Sequence, residues 1–213
     1  MKLTHQQMRL YAVTDRAWAA DEDAFFAQIE AAIDGGAGIV QLREKHASRE
    51  EFLRLAERFV ALCRRRGVVS IINDNVDIAA AVGADGVHVG QEDLEAGRAR
   101  ALLGPDKIIG VSTHSVAEAQ AAQAAGADYL GVGAAFVTGT KTDAKPVGHD
   151  VIRAVTAAVD IPVVAIGGIG RDNILELSGC GLAGVAVVSA LFAQKDVAAA
   201  ARELRDLAEQ IAR

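Results

Sequence analysis

Apolar residues along the chain fall into two kinds of segment. Short dense runs end in polar residues, and between them lie longer stretches with an apolar residue at every third or fourth position. A run of the first kind predicts a strand buried on both faces, as in a parallel sheet; a stretch of the second kind predicts an amphipathic helix. Strands are predicted at residues 9–15, through Gln41, and at 68–75, 86–90, 107–114, 129–134, 162–168 and 184–189. Helices are predicted at 21–34, 48–66, 77–82, 94–103, 117–125, 150–159, 171–177 and 196–213. Phe25, Phe26, Ile29, Ala32 and Ile33 share one face of the first helix. Ser48 caps the second, with Glu51 three residues on and Phe52, Leu55, Phe59 and Leu62 inward.

Eight strands alternating with eight helices predict a single (β/α)8 barrel over residues 1–213, with a doubly wound open sheet as the alternative. A quasi-repeat favours the barrel. Gly36-Ala37, Gly83-Ala84, Gly126-Ala127 and Gly181-Leu182-Ala183 each precede an even-numbered strand, where a helix-stop glycine and a small residue allow a tight return to the barrel floor.

Composition sets bounds on function. With 213 residues, 51% of them hydrophobic, the chain can bury a full core. A net charge of -6 argues against a general nucleic-acid or anionic-membrane surface, so basic residues that matter must be clustered. No apolar run reaches the length of a bilayer span, and residues 1–10 lack the apolar core of a secretory signal, so a cytoplasmic protein is expected. The two cysteines, Cys63 and Cys180, show neither metal-ligand spacing nor a disulfide framework and read as small buried hydrophobes.

In a parallel barrel the ligand chemistry collects at the carboxyl ends of the strands. The pattern places there the cations Arg43, Lys45 and Lys141, the acids Asp15, Asp74 and Asp93, and the polar groups Gln41, Asn73, Ser112, Thr138, Thr140 and Ser189. Three cations are too many to bury without a counter-charge, which implies an anion site. Asp74 and Asp93, at neighbouring strand ends, are a candidate pair for Mg²⁺; as an alternative they are helix N-caps. Gly167-Gly168-Ile169-Gly170 with Val188-Ser189 fits a second anion site, of the kind that barrels build after strands seven and eight. Two anion sites on one mouth imply two phosphorylated substrates, or one substrate phosphorylated at each end. His88 reads as a satisfied core histidine.

Taken in order, Tyr11-Ala12-Val13-Thr14-Asp15-Arg16, Gln41-Leu42-Arg43-Glu44-Lys45, Asn73-Asp74, Gly86-Val87-His88-Val89-Gly90-Gln91-Glu92-Asp93, Gly110-Val111-Ser112-Thr113-His114, Thr138-Gly139-Thr140-Lys141 and Ala165-Ile166-Gly167-Gly168-Ile169 resemble the thiamine phosphate synthase family. The resemblance implies a (β/α)8 transferase that joins hydroxymethylpyrimidine diphosphate to a thiazole phosphate, or its carboxylated form, releasing diphosphate. It implies that Gln41, Leu42, Arg43, Glu44, Lys45, Asn73, Ser112 and Lys141 hold the pyrimidine diphosphate, with Arg43, Ser112 and Lys141 acting in catalysis. Asp74 and Asp93 would hold Mg²⁺, and Thr138, Gly139, Thr140, Gly168, Val188 and Ser189 the thiazole phosphate. The chain departs from the family at Ala134-Ala135-Phe136-Val137, where prolines are frequent; their loss would loosen the following loop.

The residues suit a dissociative displacement. The aminopyrimidine ring delocalises the cation that forms, so the protein needs charge stabilisation on the leaving group and a held nucleophile rather than a strong base. Two alternatives stay open. A thiazole tautomerase on the same scaffold would need a proton shuttle, for which His114 is the candidate, and a non-catalytic barrel would bind phosphate without any dependence on Mg²⁺.

Overall fold

The closed barrel is present, and the open sheet is excluded. In the computed structural model, which describes residues 3–90, 93–137 and 146–212, eight parallel strands pair in chain order and the last returns to the first. They are β1 (Leu10–Val13), β2 (Ile39–Leu42), β3 (Val69–Asn73), β4 (Gly86–Val89), β5 (Ile108–Thr113), β6 (Tyr129–Gly133), β7 (Val163–Ile166) and β8 (Gly184–Val187). Among the described residues the surrounding helices are α1 (His5–Met8), α2 (Glu22–Asp34), α3 (Arg49–Arg66), α4 (Val76–Val82), α5 (Asp93–Leu103), α6 (Val116–Ala124), α7 (His149–Ala158), α8 (Ser189–Phe192) and α9 (Val197–Ile211). None of these helices is long and apolar enough to cross a membrane.

Local chemistry sets the helix ends. The side chains of Asp21, Ser48, Asn75, Ser115 and Asp196 each accept a first-turn backbone N–H, which satisfies a donor that the helix itself cannot. The quasi-repeat is structural, as its form implied: Gly36, Gly83, Gly126 and Gly181 all take positive φ, between 65° and 103°. The helix predicted at 171–177 is reduced to one 3-10 turn, Ile174–Leu177. Glycines crowd it at both ends, and Asn173 spends its side chain on the glycine loop, accepting from Gly170 N–H and donating to the Gly168 carbonyl. Helices α1 and α8 and the 3-10 turn Arg16–Trp18 were not predicted; three or four residues carry no periodicity.

Two apolar layers follow from the strand pleat. Leu10, Ala12, Val40, Leu42, Val87, Ile109, Leu130 and Val185 point outward and pack under Phe25, Ile29, Leu55 and Phe59 of the helices. Tyr11, Val13, Ile39, Ile71, Ile108, Tyr129, Val164 and Ala186 point inward and fill the barrel. Helix α1 closes the floor. Met8 is fully buried in the inner layer, and Gly184 leaves room for the main chain there, since a Cβ at that position would overlap the Met8 carbonyl. Both cysteines are buried, and burial pushes the Cys63 thiol up to about 12, which keeps it protonated.

Candidate active site

A cavity of about 240 Å³ opens at the carboxyl ends of the strands. Its wall brings together Gln41, Arg43, Asn73, Asp74 and Ser112 from the β2–β5 arc with Gly167, Gly168, Val188 and Ser189 from the β7–β8 arc. The pleat sorts the polar run after β2. Gln41 and Arg43 turn inward, whereas Leu42 packs in the outer layer and Glu44 turns away from the cavity. Any ligand contact by Leu42 or Glu44 at this mouth therefore comes from the backbone. The Glu44 side chain is 7% exposed, lies 3.5 Å from Arg16, and has one buried oxygen without a hydrogen bond. Burial lifts its carboxyl above the ordinary range, with Arg16 pulling the other way.

Arg43 is anchored from β1. Its backbone N–H donates to Thr14 Oγ1 at 3.1 Å, and its guanidinium lies 3.9 Å from Asp15. Lys45 stands at the rim with its ammonium 3.2 Å from Asp74 Oδ2, an oxygen that also accepts from Asn73 Nδ2 at 2.7 Å. Asp74 has φ of 61°, in the left-handed region that aspartate tolerates better than most residues. The conformation ends β3 and leaves capping of α4 to Asn75, so the carboxylate of Asp74 is not a helix cap. Asp93 opens α5, and its side chain lies outside the described residues.

On the far wall, Gly167 and Gly168 have φ of 96° and 66°. A Cβ at Gly168 would crowd Val137 O and Phe136 Cβ, so the glycine lets the chain after β6 lie against the chain after β7. Backbone bonds fasten that approach: Ala135 N to Ile166 O, Phe136 N to Gly167 O, and Val147 N to Ala134 O. Both ends of the loop are thus held without the prolines. Thr138, Gly139, Thr140 and Lys141 lie outside the described residues. Ser189 begins α8 at the cavity edge.

Tyr11 and Tyr129 had no place in the sequence-derived site, yet Tyr11 lines its floor and Tyr129 lies fully buried behind it. The Tyr11 hydroxyl accepts from Gln41 Nε2 and lies 2.7 Å from the Tyr129 hydroxyl, which in turn lies 2.9 Å from His88 Nδ1. Ser112 Oγ is 2.9 Å from His88 Nε2. Burial pushes both phenols well above their ordinary range. His88 is satisfied, as expected, but as part of the cavity wall. His114 is at the rim with Nδ1 3.1 Å from Glu118. A signal for Tyr129 was available in the sequence: it opens a strand that carries Gly131 and Gly133 farther along the same face, which leaves room for one large ring.

For a divalent cation the donor chemistry at Asp74 fits. The group is a hard oxygen donor, its side chain 52% exposed at the mouth, oriented by Asn73 and already balancing a cation.

The family model described as thiamine monophosphate synthase matches residues 10–191. A thiamine-phosphate synthase of Alkaliphilus oremlandii is 51% identical over 206 residues, 96% of this chain and 98% of the relative. One of Chloroflexus aurantiacus is 52% identical over 200 residues, 93% and 92% of the two chains. The solved structure of a thiamine phosphate pyrophosphorylase from Pyrococcus furiosus superposes with a TM-score of 0.87 at 38% identity, covering 97% of this chain and 98% of that one. With its barrel, its divided cavity wall and relatives matched along almost their whole length, the chain belongs to the thiamine monophosphate synthase family.

Proposed function

We propose that the chain condenses 4-amino-2-methyl-5-hydroxymethylpyrimidine diphosphate with a thiazole phosphate to give thiamine phosphate and diphosphate, in thiamine biosynthesis. One observation carries the reading. A single cavity has a cation and polar groups on the β2–β5 arc and a glycine turn with Ser189 on the β7–β8 arc, so one mouth can receive two anionic groups with the reacting atoms between them. The identity to thiamine-phosphate synthases over nearly the whole chain supports it.

On this reading Arg43, buffered by Asp15 and held by Thr14, stabilises charge on the leaving diphosphate, and Ser112 donates to it. Gln41 orients the pyrimidine. Asp74 and Asp93 would hold Mg²⁺, which when bound supplies Lewis-acid neutralisation of the diphosphate. Lys45, whose ammonium lies 3.2 Å from Asp74, would bring a further positive charge to the phosphoryl oxygens at the rim. Gly168, Val188 and Ser189, with Thr138, Gly139 and Thr140, hold the thiazole phosphate and present its nitrogen to the carbon that loses diphosphate. Such orientation is worth up to ~7–11 kcal/mol in favourable cases. The reading puts the reaction in the cytoplasm, where phosphorylated intermediates are retained, and expects neither nucleic acid nor membrane as a partner.

The test is product formation from the two substrates with and without Mg²⁺, on wild type and on Lys141→Ala. Metal-dependent thiamine phosphate with a large loss of turnover in the variant is expected. A folded wild type that forms no thiamine phosphate overturns the reading and moves attention to the tautomerase and to His114. Near-normal turnover in the variant removes Lys141 from the leaving-group site.

A further inference from the structure

Five side chains from five strands form one continuous hydrogen-bond chain under the cavity: Gln41, Tyr11, Tyr129, His88 and Ser112. Its links are all between 2.7 and 2.9 Å. The barrel makes room for it. The register sets His88 level with Gly110 and Gly110 level with Tyr129, so a glycine stands between the two rings, which lie 5.5 Å apart. A Cβ at Gly110 would overlap the Tyr129 ring, and one at Gly131 would come within 3.2 Å of His88 Cε1.

The chain has a direction. Tyr11 and Tyr129 are buried phenols, each with one proton, and a buried donor needs an acceptor. Gln41 donates its amide N–H to Tyr11. Tyr11 must then donate to Tyr129, and Tyr129 to His88 Nδ1. A histidine that accepts at Nδ1 is neutral with its hydrogen on Nε2, and donates that hydrogen to Ser112. Ser112, accepting from His88, turns its own hydroxyl hydrogen elsewhere. In the reverse direction every one of these roles is exchanged: Ser112 donates downward and Gln41 accepts from Tyr11.

We propose that Tyr11, Tyr129 and His88 are positioning residues that hold this chain in one direction, so that Ser112 meets the ligand as a donor while Gln41 meets it with its carbonyl oxygen. A phosphoryl oxygen needs a donor and an exocyclic amino group needs an acceptor. Both ends of an aminopyrimidine diphosphate therefore favour the same direction, and a ring with an acceptor in place of the amino group opposes it. The proposal rests on the reading of the substrate given above and adds how the protein reads its two ends together.

The tautomer of His88 decides the matter without reference to activity. Long-range ¹H–¹⁵N correlation on the full chain, with the signal assigned by its loss in His88→Gln, is expected to show hydrogen on Nε2 and a bare Nδ1 at neutral pH. Hydrogen on Nδ1, or an imidazolium, overturns the proposal. Kinetics supply a second arm, because a glutamine amide nitrogen can replace Nε2 whereas an asparagine amide nitrogen replaces Nδ1. His88→Gln is expected to keep kcat within about 10-fold of wild type, and His88→Asn to lose about 100-fold, the scale of a lost preorganised donor. Equal losses in the two variants mean that His88 only fills space, and overturn it. A wild type that makes no thiamine phosphate overturns the proposed function while the tautomer still decides the chain. An active wild type with hydrogen on Nδ1 does the reverse.

Discussion

A methyl group added at Gly110 lands under 3.0 Å from two ring carbons of Tyr129 and from its hydroxyl oxygen. That ring cannot step aside cheaply: it is fully buried, and its hydroxyl is bonded to Tyr11 on one side and His88 on the other. Overpacking a rigid core costs about 1–3 kcal/mol, and swinging the ring away strands buried hydrogen-bonding groups at about 1–3 kcal/mol more. Gly110→Ala is expected to lose roughly 2–6 kcal/mol, which at about 2–4 °C per kcal/mol for a chain of this length lowers Tm by roughly 4–24 °C. Turnover should fall with it, because Ser112 loses its support. Gly97→Ala is the control. Gly97 is exposed in the middle of α5 with open space around its Cα, so the same methyl group should stabilise by about 0.5–1 kcal/mol through the lower entropy of the unfolded chain. Thermal unfolding followed by circular dichroism, with activity measured on the same samples, reads both. A Gly110→Ala protein that melts within about 1 °C of wild type and turns over normally would refute the packing argument.

Glu44→Gln tests the buried carboxylate. Because its pKa is raised on folding, the folded state holds the proton more tightly than the unfolded state, and stability falls as pH rises from the ordinary value of 4.5 through the raised one. The variant's Tm relative to wild type should therefore climb between about pH 4 and neutrality; a flat difference sinks the assignment of burial as the larger influence. Asp74→Asn should weaken the dependence of turnover on Mg²⁺ and free Lys45, with kcat lower by about 10²-fold or more; an unchanged Mg²⁺ titration places the metal elsewhere. Gly168→Ala forces a left-handed residue at about 1–2 kcal/mol and pushes on Phe136 and Val137, so KM for thiazole phosphate should rise more than KM for the pyrimidine substrate; the opposite order would exchange the two anion sites.

Much of the site was legible because strand-then-polar-end is a local pattern. Arg43, Asn73, Asp74 and Ser112 each follow an apolar run within a few residues, and the pairing order of a (β/α)8 barrel converts that into one mouth. Local signals also marked the helix cap at Ser48 and the glycine returns before the even strands. Face assignment was a different matter. In a parallel barrel both faces of a strand are apolar, so the alternation that tells inside from outside in an exposed sheet is missing. Leu42 and Glu44 therefore looked equal to Gln41 and Arg43, and only the closed sheet shows that Leu42 packs into the helix layer while Glu44 faces Arg16.

From sequence alone come the eight strands and their order, most of the helices between them, the class of chemistry at the strand ends and the family resemblance, since all of these rest on near-neighbour periodicity and on residue type. Tertiary structure alone decided three things: which residues share the cavity, how Asp74 is turned by a left-handed backbone beside Lys45, and how Tyr11, Tyr129 and His88 join Gln41 to Ser112. The partners in that chain are up to 118 positions apart. Such contacts exist because closing the sheet brings β1, β6 and β4 around one interior, and no local pattern encodes the distance across a barrel.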